Sequence, residues 1–220
     1  MEIIRLLGLI QYLHFMGTKF RISYILVVLF AGFITINATC NKSGFDCSIV
    51  TNYFDLPAKI YPDHEMLPIS DSLTILIDES IIFRDVVTGQ SVKFDNAGNL
   101  GSTISFQRYD STNSMWEQAA NNFHFSLIKG KSSDPIIVEL NRDYLFYENN
   151  KRYQFHLIIK PQRTGLYKLI MSNSINTFRK SDPCEKANFN IYLKETNHNK
   201  HLISSTGEDQ PGGYFYFVVK

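Results

Sequence analysis

The segment Arg152–Lys160 (RYQFHLIIK) sets Tyr153, Phe155, Leu157 and Ile159 at every second position, with Gln154 and His156 between them. A period of two gives an extended strand one apolar and one polar face, and it cannot give a helix a coherent stripe. The same alternation returns in Thr103–Tyr109 (Ile104, Phe106), Phe123–Lys129 (Phe123, Phe125, Leu127) and Phe189–Lys194 (Phe189, Ile191, Leu193). Leu73–Asp78 and the final Tyr214–Val219 (YFYFVV) are apolar enough to be covered strands. Turn-forming clusters at Thr88–Gln90, Asn96–Asn99 and Glu148–Lys151 punctuate them. Many half-buried strands with short turns must cover one another's apolar faces, which predicts a mainly β fold, an antiparallel β-sandwich.

Other segments fit less regularly. Tyr53–Tyr61 (YFDLPAKIY) predicts an edge strand, because Pro57 cannot donate to a ladder. Ile81–Val87, Ser91–Asp95, Ile136–Leu140 and Tyr144–Tyr147 read as shorter strands or extensions. Ser114-Met-Trp-Glu117 matches a capping box, and Met115, Trp116, Ala119, Ala120 and Phe123 follow at helical spacing. One short helix over Met115–Asn121 is therefore expected, with Trp116 either in the core or offered for sugar stacking. Asn173–Lys186 is polar and reads as a long loop carrying Cys184.

The N-terminus decides address rather than fold. Ile22–Ile36 (ISYILVVLFAGFITI) lacks charge and follows Lys19 and Arg21, the pattern of a secretory leader. It is short for a stable span, which needs about 20 apolar residues. Counting from Met16 gives a leader of ordinary length, so Met16 is the expected true start. The expected organisation is a signal peptide or membrane anchor over 1–39, a tether over 40–52 and the β domain over 53–220. Three cysteines leave one over in an oxidising compartment. If Cys40 carries a lipid, Cys47 and Cys184 remain as a pair; the alternative, Cys40–Cys47, closes only a short loop.

Removing 1–39 takes away Glu2, Arg5, Lys19 and Arg21, leaving 19 basic and 20 acidic residues. A body this close to neutral, without a basic block, offers nucleic acid no footprint. There is no nucleophile elbow, phosphate loop, zinc-protease helix or dinucleotide glycine pattern, so no enzyme class with a local signature is indicated and no cofactor is expected. Asp63-His64-Glu65 are consecutive and cannot converge on one ion from an extended chain. His198 and His201 lie among asparagines that favour a turn. No metal site is expected.

Three resemblances add to this reading. The run Pro161–x3–Gly165–x–Tyr167–x–Leu169 resembles the penultimate hairpin of immunoglobulin-like domains. That implies a turn at Gly165 and a tyrosine corner at Tyr167. Asn37-Ala-Thr-Cys40 resembles the lipobox of bacterial lipoproteins, Ala38 fitting it and Asn37 and Thr39 departing from it. The resemblance implies cleavage before Cys40 and acylation of its thiol. The leader and cysteine, AKIYPDHEMLPISDSLTILID, FDNAGNLGS, PQRTGLYKL and the aromatic C-terminal strand together look like cell-envelope lipoproteins of Bacteroidota-type bacteria. The implied fold is an immunoglobulin-like antiparallel β-sandwich with one short helix, behind an N-terminal hydrophobic signal or anchor helix. The implied place is the cell envelope, beyond the inner membrane, tethered through a Cys40 lipid or the Ile22–Ile36 helix. A binding or structural role with an envelope protein or glycan as partner is the first expectation. A glycan-active hydrolase without a local motif, or a surface-assembly subunit using the last strand, are the alternatives.

Overall fold

Period-two patterning becomes strand along two thirds of the described residues. The computed structural model describes residues 47–132, 141–194, 198–202 and 213–220. The expected leader, Cys40, the tether up to residue 46 and the strand expected at Ile136–Leu140 lie outside those residues. The chain divides into the units Met1–Cys47 and Ser48–Lys220, and the strands among the described residues belong to the second.

The first strands are β1 (Val50–Tyr61), β2 (Met66–Leu67), β3 (Leu73–Ser80), β4 (Ile82–Arg84), β5 (Ser91–Lys93) and β6 (Ala97–Gly98). Next come β7 (Gly101–Asp110), β8 (Met115–Gln118), β9 (Phe123–Lys129), β10 (Lys131–Ser132) and β11 (Asn141–Leu145). The chain closes with β12 (Tyr147–Asn149), β13 (Arg152–Pro161), β14 (Gly165–Met171), β15 (Ser174–Arg179), β16 (Asp182–Leu193) and β17 (Tyr214–Val219). One sheet runs β12-β13-β3-β1-β16-β15-β6, with β9 also on β13. A second runs β10-β11-β7-β14-β17-β2, with β8 on β7, and β4-β5 form a separate hairpin.

The inward faces of both sheets supply one apolar core. Aromatic rings lock them together: Phe106 of β7 lies 4.5 Å from Phe123 of β9, and Tyr144 of β11 lies 5.4 Å from Phe155 of β13. Around Phe54, the rings of Phe83, Phe94 and Phe189 all lie between 5.0 and 5.8 Å away. Tilted and edge-on pairs of this kind add about 0.5–1.5 kcal/mol each beyond the area they bury. The last strand is interior: β17 pairs with β14 along its length, and Phe215, Phe217 and Val219 are buried. On its other side, β2 pairs with Val218 and Val219, and the 198–202 turn meets Tyr214 and Tyr216.

Several expectations from the sequence need correction. Most pairs are antiparallel, but β1–β16 and β17–β2 are parallel. β1 is not an edge strand, since β16 flanks it from Val50 to Ala58 and β3 from Lys59 to Tyr61. Pro57 is tolerated because Ala58 faces β16, its carbonyl accepting from Lys194 N–H, so Pro57 faces the β3 side. There the β1–β3 ladder stops, for want of a donor.

The expected helix at Met115–Asn121 is strand β8 followed by a single 3-10 turn at Ala120–Asn122, and the described residues contain no α-helix. Ser114 adopts φ +53°, which suits the tight β7–β8 turn rather than an N-cap, whose backbone is extended. Trp116 then pairs with Tyr109 across the hairpin. The expected loop Asn173–Lys186 is largely the β15–β16 hairpin. Its polarity misled because inward-facing Ser174 and Thr177 are buried hydroxyls that hydrogen-bond each other at 2.9 Å.

Candidate functional site

Cys47 and Cys184 are disulfide-bonded to each other. The bridge sits at the open end of the parallel β1–β16 ladder, whose first pair is Val50 with Glu185. Beside it Arg179 donates from Nε to Asp95 at 2.9 Å and from a terminal nitrogen to Glu185 at 2.6 Å. Asn52 donates to the same Glu185. Hydrogen bonds from Lys93 and then Arg179 hold the Asp95 carboxyl down at about 2. This corner is therefore fixed covalently and by charge, and its groups are engaged with one another.

Gly165 opens β14 at φ +148°, a region that costs a residue with a Cβ about 1–3 kcal/mol. Two residues on, buried Tyr167 donates its hydroxyl hydrogen to the Arg163 carbonyl at 3.0 Å and accepts from Asn122 Nδ2 at 3.2 Å. Its ring packs edge-on to Phe123 at 4.8 Å and stacks on Phe217 at 5.8 Å. Tyr167→Phe keeps the ring and loses both bonds, so thermal unfolding should show a loss of about 1–2 kcal/mol. Gly165→Ala should cost about the same through the backbone. An unchanged melting temperature in both would remove this corner from the elements that hold the fold.

Two outward surfaces carry concentrated side-chain chemistry. On the second sheet Lys168 lies over the Trp116 ring at 4.8 Å and the Tyr214 ring at 5.7 Å, with Tyr109 and Tyr216 flanking Trp116. The Trp116 face is thus already covered by an internal cation.

The first sheet carries a groove of about 440 Å³ where the β1–β3 ladder opens at Pro57. Lys59, Asp78, Lys129, Arg152, Gln154 and His156 line it. Arg152 Nε donates to Asp78 at 2.7 Å, Gln154 Nε2 donates to the same carboxylate at 3.1 Å, and Lys129 Nζ donates to Gln154 Oε1 at 3.4 Å. Those bonds, Arg152 first and Gln154 second, hold the Asp78 carboxyl below the usual carboxylate range. A carboxyl held ionised accepts hydrogen bonds well and is tuned opposite to a glycosidase's general acid.

The histidines considered as ligands go to separate partners. His201 Nε2 meets Glu65 at 3.0 Å, whereas His198 Nδ1 meets the Tyr214 carbonyl at 2.7 Å. Among the described residues, no three His, Cys, Asp or Glu side chains converge as a metal site would require. Sequence reasoning missed the groove altogether. Its residues come from four strands, and only their alternation on polar faces could have hinted at a shared surface. Comparison with protein families, curated proteins and solved structures finds no match to this chain.

Proposed function

We propose that this protein is an exported binding component of a bacterial cell envelope, an immunoglobulin-like β-sandwich tethered to a membrane. The observation that carries the proposal is the Cys47–Cys184 disulfide. Such bonds form and persist in oxidising compartments and are rare in the reducing cytosol. An uncharged apolar segment, Ile22–Ile36, precedes it in the sequence and supplies the means of export. With Cys47 and Cys184 engaged, Cys40 is the remaining cysteine and the candidate for lipid attachment.

The immunoglobulin-like reading draws support from the Tyr167–Arg163 hydrogen bond, a hydroxyl reaching back four residues at the start of a strand, as in a tyrosine corner. Binding is favoured over hydrolysis because Asp78 is already engaged by Arg152 at 2.7 Å and by Gln154 at 3.1 Å. It is favoured over assembly through the last strand by the interior position of β17.

Fractionation of cells expressing the full chain tests the tether. Wild-type protein should pellet with membranes, and Cys40→Ala should move it to the soluble exported fraction. Retention of Cys40→Ala in the pellet at the wild-type level would contradict the lipid tether and leave the Ile22–Ile36 helix as the anchor.

A further inference from the structure

We infer that the groove on the outer face of the first sheet binds an oligosaccharide laid across the strands. The inference rests on the binding-component reading above and specifies its ligand. It begins from register. Tyr192 of β16 pairs with Pro57 of β1, Asp78 of β3 pairs with Gln154 of β13, and Gln154 pairs with Tyr147 of β12. Paired residues project to the same face, and here that face is the outer one, since Phe54, Leu56, Ile77, Phe155 and Ile191 are the buried alternates. One transverse row therefore reads tyrosine, proline, carboxylate, amide, tyrosine. Beside it a second row reads Lys59, Leu76, His156, Lys129.

The two tyrosines stand four strand spacings apart, about 20 Å at the usual separation. That length suits a chain of sugars rather than a single ring. Tyr147 is exposed and Tyr192 partly so. Among the described residues neither takes part in an aromatic or cation pair of the kind that covers Trp116, which leaves their faces to meet the apolar face of a pyranose.

Between them the floor is set to meet hydroxyls, which both donate and accept. Asp78 and Gln154 Oε1 accept, while Arg152, Gln154 Nε2 and Lys129 donate. The Arg152–Asp78–Gln154–Lys129 chain fixes these groups before a ligand arrives, reducing the ordering cost of binding. Depth comes from Pro57, which ends the β1–β3 ladder and lets the two strands part.

Other ligand classes fit the groove less well. Peptide capture by strand addition needs a length of open edge, and here only the short gap beyond Pro57 is open, with β1 held on its far side by β16 and β3 by β13. A polyanion such as nucleic acid needs a large surplus of cations, and Asp78 and Glu79 leave Lys59, Lys129 and Arg152 a surplus of only one.

Affinity electrophoresis of the full chain in mild detergent, through gels holding laminarin, xylan, polygalacturonate or dextran sulfate, tests the inference. At least one of the three sugar polymers should retard the protein more than dextran sulfate does. Tyr147→Ala/Tyr192→Ala should weaken that interaction about tenfold or more, the equivalent of losing two modest ring contacts. Gln154→Ala should weaken it as well, and Trp116→Ala on the other sheet should leave it unchanged. Retardation by no polymer, by dextran sulfate alone, or equally in the double tyrosine variant would overturn the inference. A protein that is exported and acylated yet not retarded would defeat the groove assignment alone. One that is retarded yet never reaches a membrane would defeat the envelope reading alone.

Discussion

Replacing Cys47 and Cys184 together by serine should lower stability by about 4–5 kcal/mol, the largest single effect expected in this fold. The bridge closes a loop of more than a hundred residues, so its loss returns a large amount of freedom to the unfolded chain. The native side of the balance points the same way. The parallel β1–β16 pairing joins residues far apart in sequence, and slipping it by one position would turn Phe54, Leu56 and Ala58 outward. The disulfide sits just before the first pair of that ladder and pins its register. Arg179, Asp95 and Glu185 brace the same corner, but ion pairs that water reaches contribute much less. In urea the midpoint should fall by about 2 M without loss of native β signal in buffer. A midpoint unchanged in the double variant would mean that the bridge does not constrain the fold.

Asp85→Ala should be the most damaging change at any single polar residue, costing about 3 kcal/mol. Only 2% of Asp85 is exposed, and its carboxylate accepts from Tyr53 N–H at 2.7 Å, Val87 N–H at 3.1 Å, Thr88 N–H at 2.6 Å and Thr88 Oγ1 at 2.9 Å. It closes the β4–β5 turn and ties that hairpin to β1, where Phe54 and Asp85 form an isolated bridge. Behind it Phe83 stacks on Phe54 at 5.0 Å and on Tyr153 at 6.0 Å. Alanine would remove the acceptor that four donors share, and asparagine, keeping one acceptor oxygen, should lose roughly half as much.

The same carboxyl links stability to pH. The Tyr53 N–H, followed by the Thr88 N–H, holds its pKa below the ordinary value. A carboxyl whose folded pKa is depressed adds stability that is complete above its unfolded value, about 4, and that fades as pH falls through the folded value. Asp95, held at about 2 by Lys93 and Arg179, acts with the same sign. Acid titration of the melting temperature should therefore fall below pH of about 4 in the wild type and fall less steeply in Asp85→Asn. Equal acid slopes in the two proteins would refute this role for Asp85.

The sequence made the strands legible wherever one face is apolar and the other polar. Thr103–Tyr109, Phe123–Lys129 and Arg152–Lys160 stand close to where their alternation puts them. It misled where local chemistry and tertiary context disagree. Ser114–Glu117 carries a helix-start signature, yet the turn after β7 and the Trp116–Tyr109 pairing impose a strand. Ser174–Arg179 looks like a loop because its inward positions are hydroxyls satisfying each other. Pro57 spoke for an edge because one strand's sequence does not reveal which side its missing donor faces. The groove was illegible for a related reason: Lys59, Asp78, Lys129 and Gln154 are unremarkable on their own strands, and only register across four strands unites them.

Intact-mass analysis of the protein from the membrane fraction addresses the central claim most directly. The envelope reading predicts a chain beginning at Cys40, heavier than its sequence by an attached lipid, with Cys47 and Cys184 lighter by the two hydrogens of a disulfide. A chain that keeps residues 1–39, carries no added mass and has both Cys47 and Cys184 reduced would contradict it.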